Sequence, residues 1–165
     1  MNIWVMRHGE AGFNAITDCQ RHLTEKGQAM AVQQGQWLVE RLENQQLSLD
    51  KILVSPYLRT QQTLEKLLEG MQGGRSAKKS ANFTQIIETW DGITPSGDPD
   101  NVLNYLDFLR NEGAKNVLII SHLPLVYDLV YVLTQGKSTV HFYPAVIAEV
   151  DWKMNAGKLV VVECP

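Results

Sequence analysis

The sequence predicts an α/β chain: a single-domain three-layer sandwich with a mostly parallel central sheet, helices on both faces and a C-terminal β-hairpin. Three observations predict it. Short apolar runs of strand length (IWVM, KILV and NVLII) alternate with segments whose apolar residues recur at helical spacing. Each run stops abruptly on polar residues, as VMRHG, LVSPYLRT and LIISH. The stretch AVIAEVDWKMNAGKLVVVE then reads as two strands joined by a turn around Asn155 to Gly157.

The elements follow in order. Ile3 to Met6 is a short buried strand. Thr24 serves as N-cap, with Glu25 in the first turn, for a long helix over 25–46 whose inner face carries Ala31, Gly35, Leu38 and Leu42. Lys51 to Val54 is the second strand, ending at Ser55-Pro56. The helix after Tyr57 places Leu64, Leu67 and Leu68 on one face and stops at Gly70. Gly73, Gly74 and the polar run to Ser80 form a loop, in which Lys78 and Lys79 are solvated. Thr84 to Ile87 is expected as the third strand, and Asp98 or Asp100 caps the helix of VLNYLDFLRNEG. Asn116 to Ile120 is the clearest buried strand, and Leu125 to Leu133 continues as a helix. Trp4 and Trp37 are expected in the core, and Trp90 along the pocket.

Length and composition fit one domain, 1–165, with a real hydrophobic core. The 15 basic and 18 acidic residues leave a net charge of -3, so no basic face offers itself to nucleic acid. Any anion site must be a local cluster of cations. Cys19 and Cys164 share no metal-type spacing and read as free thiols in a reducing compartment. The N-terminal apolar stretch stops at Arg7, too short for a secretory signal, and no run approaches a membrane span. A soluble, cytoplasmic protein without a membrane partner is expected.

In a mostly parallel sheet the carboxyl ends of the strands share one edge, where ligands bind. That topology brings Arg7, His8, Arg59 and His122 together. Singly, each has a plain structural explanation; three strand ends with the same polar signature call for a common one. Arginine forks bind phosphate oxygens in pairs and stay charged. A neutral imidazole is a good nucleophile, and positive neighbours favour the neutral form. Attack on phosphorus yields a phosphohistidine, with fixed cations stabilising the charge on the equatorial oxygens. The four residues read as a phosphoryl-transfer site that needs neither metal nor organic cofactor. His22 and His141 are read as structural or exposed, and Ser55 and Ser121 lack the GxSxG setting of a serine nucleophile.

The order MRHGE, LTEKG, SPYLRTQQT and SHLPLV, almost end to end, resembles the histidine phosphatase superfamily, whose hallmark is Arg-His-Gly after the first strand. The short length and the SHLPLV and ITPSGD segments are most similar to its small SixA-type branch, the bacterial phosphohistidine phosphatases. The resemblance implies a phosphoglycerate mutase-like fold. It implies His8 as nucleophile, Arg7 and Arg59 as clamps on the phosphoryl oxygens, and His122 as a hydrogen-bond donor. Gly9 would present its carbonyl to the nucleophilic ring and fix its tautomer. Asn14 matches the RHGExxxN form of the motif, and Arg21 stands where relatives carry a polar or basic residue facing the cleft. Both are candidate phosphate ligands.

Relatives that cleave esters use a carboxylic acid to protonate the leaving oxygen. Glu88 is the best match to it, and Asp98 is its competitor. Phosphohistidine loses an imidazole, whose pKa near ~6.5 lets it leave already protonated. An alkoxide needs a proton in the transition state, worth roughly 10²–10⁴-fold. The missing acid therefore favours a P–N substrate. The compact segment between the SPYLRT helix and the NVLII strand implies a shallow cleft that admits a side chain presented by another protein. The expected reaction removes phosphate from a histidine of a phosphotransfer domain or phosphocarrier protein and releases inorganic phosphate. The alternatives are a small-molecule phosphomonoesterase and a non-catalytic phosphoprotein-binding module.

Overall fold

The computed structural model describes residues 1–73, 83–154 and 156–165. The expected loop at 74–80, with Lys78 and Lys79, and the tip of the terminal hairpin at Asn155 lie outside the described residues. Six strands form one sheet: β1 (Asn2–Arg7), β2 (Lys51–Val54), β3 (Ile87–Thr89), β4 (Asn116–Ser121), β5 (Ile147–Lys153) and β6 (Ala156–Glu163). Their order is β3-β2-β4-β1-β5-β6. The first four run parallel, and β5 and β6 close the sheet antiparallel.

Helices α1 (Glu25–Asn44) and α2 (Leu58–Met71) cover one face; α3 (Pro99–Asn111) and α4 (Leu125–Leu133) cover the other. Alternation along the strands fills both layers. Trp4 and Met6 face α1 and α2, while Ile3 and Val5 face α3 and α4. β4 is buried along its whole length, which is why it reads as a continuous apolar run. Each fully buried aliphatic side chain contributes roughly 1.5–3 kcal/mol, so the strand ends stand on a rigid platform.

Four details differ from the sequence reading. The long helix ends at Asn44, where Gln45 caps it. The third strand is Ile87–Thr89, because Phe83–Gln85 forms a 3-10 turn. Trp37 is half-buried against the α1–α2 layer. Gly70 lies inside α2 and does not stop it. Its role is close approach: a Cβ at Gly70 would lie 2.0 Å from the Val32 carbonyl oxygen, and one at Gly35 would lie 2.0 Å from that of Leu67. The two helices cross backbone to backbone.

Thr24 caps α1 as expected, accepting from the Gly27 amide at 3.0 Å. Asp98 caps α3, accepting from the Asp100 amide at 2.9 Å. Among the described residues no helix is long and apolar enough to cross a membrane.

Candidate active site

The central strands β1 and β4 and their neighbour β2 deliver the site. Arg7 ends β1 and His8 follows it; His122 follows β4; Arg59 lies in the first turn of α2, just beyond β2. The His8 backbone is held from both sides. Its amide donates to the Ser121 carbonyl at 3.0 Å, and its carbonyl accepts from the Ala145 amide at 3.0 Å. The Gly9 amide donates to Thr63 Oγ1 at 3.0 Å, which ties the turn to α2. A Cβ at Gly9 would lie 2.6 Å from the Gly27 carbonyl oxygen, so only glycine lets the turn rest on the start of α1.

The His8 ring has one tautomer open to it. Nδ1 lies 2.7 Å from the Gly9 carbonyl oxygen, which only accepts, so Nδ1 carries the proton. Nε2 is left with its lone pair, toward which Arg59 Nε–H points at 3.3 Å. Burial lowers the pKa of His8 to about 4; the Gly9 carbonyl opposes the shift, and the charges of Arg59, Arg7 and Arg21 add to it. The ring is neutral at ordinary pH.

His122 lies with its ring centroid 5.3 Å from that of His8. Burial lowers its pKa to about 3, helped by His8 and the arginines against an opposing pull from Asp18. Its Nε2 is 2.7 Å from Ser55 Oγ, which also accepts from the Tyr57 amide at 3.3 Å. Where the Ser55 hydroxyl donates to Nε2, the ring proton sits on Nδ1, which is then free to donate. Ser55, excluded as a nucleophile from sequence, thus orients the second imidazole. His122 Nδ1 and Arg7 Nε are buried and make no hydrogen bond among the described residues. Arg7 Nη1 is anchored on the Phe142 carbonyl at 2.8 Å. Burial lowers the pKa of Arg7, and Arg59 and Arg21 lower it further. A tetrahedral oxyanion matches this set, with N–H donors and cations converging on an imidazole lone pair.

Arg21 flanks the cluster. Its Nε–H donates to the Gly12 carbonyl at 2.8 Å, and its guanidinium lies 4.2 Å from the Phe13 ring centre. Asn14 is exposed in the same loop and makes no hydrogen bond among the described residues. The sequence reading missed Asp18. Its carboxylate lies 3.1 Å from Arg59 Nη2 and 3.2 Å from Arg21 Nη1, and its backbone carbonyl accepts from Arg59 Nη1 at 2.7 Å. It is the only charged residue between Ala11 and Gln20, which is the signal the sequence offered.

Glu88 lies well away from His8. Glu88 stands opposite Leu53, which is level with Ile119 and Val5. That register puts it about three residues, ~10 Å, back along the strands from His8 and three strands, ~14 Å, across. Its carboxylate is held by Tyr105 Oη at 2.8 Å and Lys51 Nζ at 3.3 Å. Asp98 is exposed at the start of α3. Trp90 packs edge-on against Tyr105, with 4.6 Å between ring centres.

Two open hollows flank the cluster. One of about 370 Å³ is lined by Ala15, Ile16, Gln20, His22 and Leu58. The other, about 300 Å³, is lined by Arg7, Leu123, Tyr127 and residues 140–143, His141 among them. Cys19 and Cys164 are free and exposed. Among the described residues no three His, Cys, Asp or Glu side chains are grouped to hold a metal ion.

The sequence model of the histidine phosphatase superfamily (branch 1) matches residues 3–114. The chain belongs to this family. It is 43% identical over 162 residues to a phosphohistidine phosphatase SixA homolog of Haemophilus influenzae, covering 98% of this chain and 94% of the relative. It is 37% identical over 169 residues to phosphohistidine phosphatase SixA of Escherichia coli, covering 96% of each. Among solved structures, the protein histidine phosphatase SixA complexed with tungstate superposes with a TM-score of 0.83 at 34% identity, covering 99% of this chain and 97% of that one. The phosphoglycerate mutase-like α/β fold expected from the sequence is the fold of this histidine phosphatase.

Proposed function

We propose that the chain is a phosphohistidine phosphatase that takes the phosphoryl group from a histidine of another protein onto His8 Nε2 and then gives it to water. One observation carries the reading: a neutral imidazole, its lone pair fixed by the Gly9 carbonyl, facing Arg59 and close to Arg7 and His122. The lone pair forms the new N–P bond, the old N–P pair returns to the leaving imidazole, and the cations hold the equatorial oxygens throughout. His122 donates through Nδ1. Arg21 and Asn14 belong to the rim, where an incoming phosphoryl group passes. Tungstate, the phosphate-like oxyanion held by the similar SixA, suits the same donors.

Glu88 is tied to Tyr105 and Lys51, and the Asp18 carboxylate that borders the cluster is held ionised by Arg21 and Arg59, so neither offers a proton to an alkoxide, which supports an imidazole leaving group. The rim supports a protein-borne substrate. Phe13 and Ile16 are 85% and 97% exposed on one side; Tyr143 is 69% exposed on the other, beside Leu123 and Tyr127. A phosphotransfer domain or phosphocarrier protein brings its phosphorylated side chain between such apolar lips.

The test compares a phosphotransfer domain radiolabelled on histidine with a panel of small phosphate esters, using the wild type and His8→Ala. Rapid loss of label, a trapped phosphoenzyme in the wild type and none in His8→Ala are expected. Efficient ester turnover with the labelled protein untouched would move the function to small phosphomonoesters. Tight phosphoprotein binding with no turnover would make the chain a binding module.

A further inference from the structure

The loop between Ala11 and Gln20 places a carboxylate, Asp18, inside an otherwise cationic cleft. Two arginines do not explain it fully, because Arg59 already spends Nη1 on the Asp18 backbone carbonyl. The carboxylate lies on the outer edge of the Arg59 guanidinium, whose inner edge points Nε at His8. An in-line transfer puts the leaving group on the far side of phosphorus from His8, and Asp18 stands one guanidinium beyond His8 Nε2. The Asp18 side chain is 57% exposed there.

We infer that Asp18 is a specificity-determining residue: its carboxylate accepts the distal N–H of the departing imidazole and so selects phosphoramidates over phosphate esters. This rests on the proposed reaction at His8. The substrate imidazolium carries phosphorus on one nitrogen and a proton on the other. As the N–P bond breaks, its electron pair stays on the first nitrogen, and the second keeps its proton, hydrogen-bonded to Asp18. No proton passes to or from the enzyme. Arg21 and Arg59 hydrogen-bond the carboxylate and outweigh its partial desolvation, which keeps its pKa below the usual carboxylate range. It is therefore an acceptor and not an acid. An ester offers neither that N–H nor the positive charge of the imidazolium.

The experiment measures kcat/KM of wild type, Asp18→Asn and Asp18→Ala on phosphoimidazole and on 4-nitrophenyl phosphate, from pH 5 to pH 9. Asn retains a carbonyl for Arg59 and Arg21 but removes the charge. The charged groups facing Asp18 are Arg21 on its own loop and Arg59 on α2, with His8, His122 and Arg7 behind them; the two rings are already neutral over this range. Removing a carboxylate beside the substrate imidazolium is expected to lower that imidazolium's pKa by about one unit, moving the alkaline limb of phosphoimidazole turnover down by about one pH unit and lowering the rate at pH 8 about tenfold. Ester turnover does not fall in the same variant, since an ester makes no contact that needs the carboxylate, so the substrate ratio shifts. Parallel losses on both substrates in Asp18→Ala, both restored in Asp18→Asn, would reduce Asp18 to a prop for Arg59 and overturn the inference. A wild type active on phosphoimidazole, with an unchanged substrate ratio in Asp18→Asn, would overturn it alone. A wild type inert toward phosphoimidazole and phosphohistidine protein would overturn the reaction itself.

Discussion

The two ends of the parallel strands are built on opposite principles. At the amino ends polar side chains pair with the backbone and with one another. Asp50 Oδ2 accepts from the Lys115 and Asn116 amides at 2.8 and 2.9 Å, Asn116 Nδ2 donates to the Ser48 carbonyl at 3.0 Å, and Asn2 Nδ2 donates to Asn116 Oδ1 at 2.9 Å. At the carboxyl ends three arginines repel one another, two imidazoles are held neutral, and Arg7 Nε and His122 Nδ1 are buried without protein partners among the described residues. The first edge staples the sheet. The second is electrostatically incomplete, and an oxyanion would complete it.

The sharpest way to break this contrast is Arg59→Ala. It removes a cation aimed at the reacting group and is expected to lower kcat/KM on phosphohistidine protein by roughly 10²–10³-fold. It should also abolish the rise in Tm that inorganic phosphate gives the wild type, read by thermal melting. Asp50→Ala tests the opposite edge: it leaves two backbone amides short of an acceptor and should destabilise the fold by about 1–3 kcal/mol in urea titration. Its kcat/KM should stay at the wild-type value, and a matching loss would mean that the two edges are not separable.

Acid sharpens the comparison further. His8 and His122 have folded pKa values of about 4 and about 3, below the ~6.5 of an unfolded histidine. Their contribution is fully present above pH 6.5 and is lost as pH falls through the folded values, because only the unfolded chain takes up the protons. Tm should fall from pH 7 to pH 4, and His8→Ala should show a shallower fall. The smallest effect is expected from Glu88→Gln. With its carboxylate tied to Tyr105 and Lys51, turnover of phosphohistidine protein should change less than about twofold, within the range of a surface substitution. A tenfold loss would reinstate it as an acid.

Much of this was legible in sequence because strand ends announce themselves. A buried run that stops on Arg-His-Gly or Ser-His can only deliver those side chains to the sheet edge, and the β1, β2 and β4 runs were bounded to within a residue or two. Tertiary contact supplied what the sequence did not. Asp18 sits in an unpatterned loop and becomes a site residue only through Arg59, 41 positions away. β3 is three residues long with a polar edge, so alternation could not fix its start. Gly70 looked like a stop because a glycine that ends a helix and one that admits a second helix leave the same local trace. Glu88 looked like an acid because its partners Lys51 and Tyr105 come from other elements.

The backbone crossings have a consequence for how such a site can change. Gly9 rests on Gly27 at the start of α1, and Gly35 and Gly70 join α1 to α2, which carries Arg59. The separation between His8 and Arg59 is thus gauged by main chain against main chain, with no side chain as a spacer. Residues such as Phe13, Ile16 and Tyr143 lie outside that gauge. On the proposed reaction, they can be exchanged to suit a new protein client while His8 and Arg59 keep their calibration, so recognition can drift where chemistry cannot.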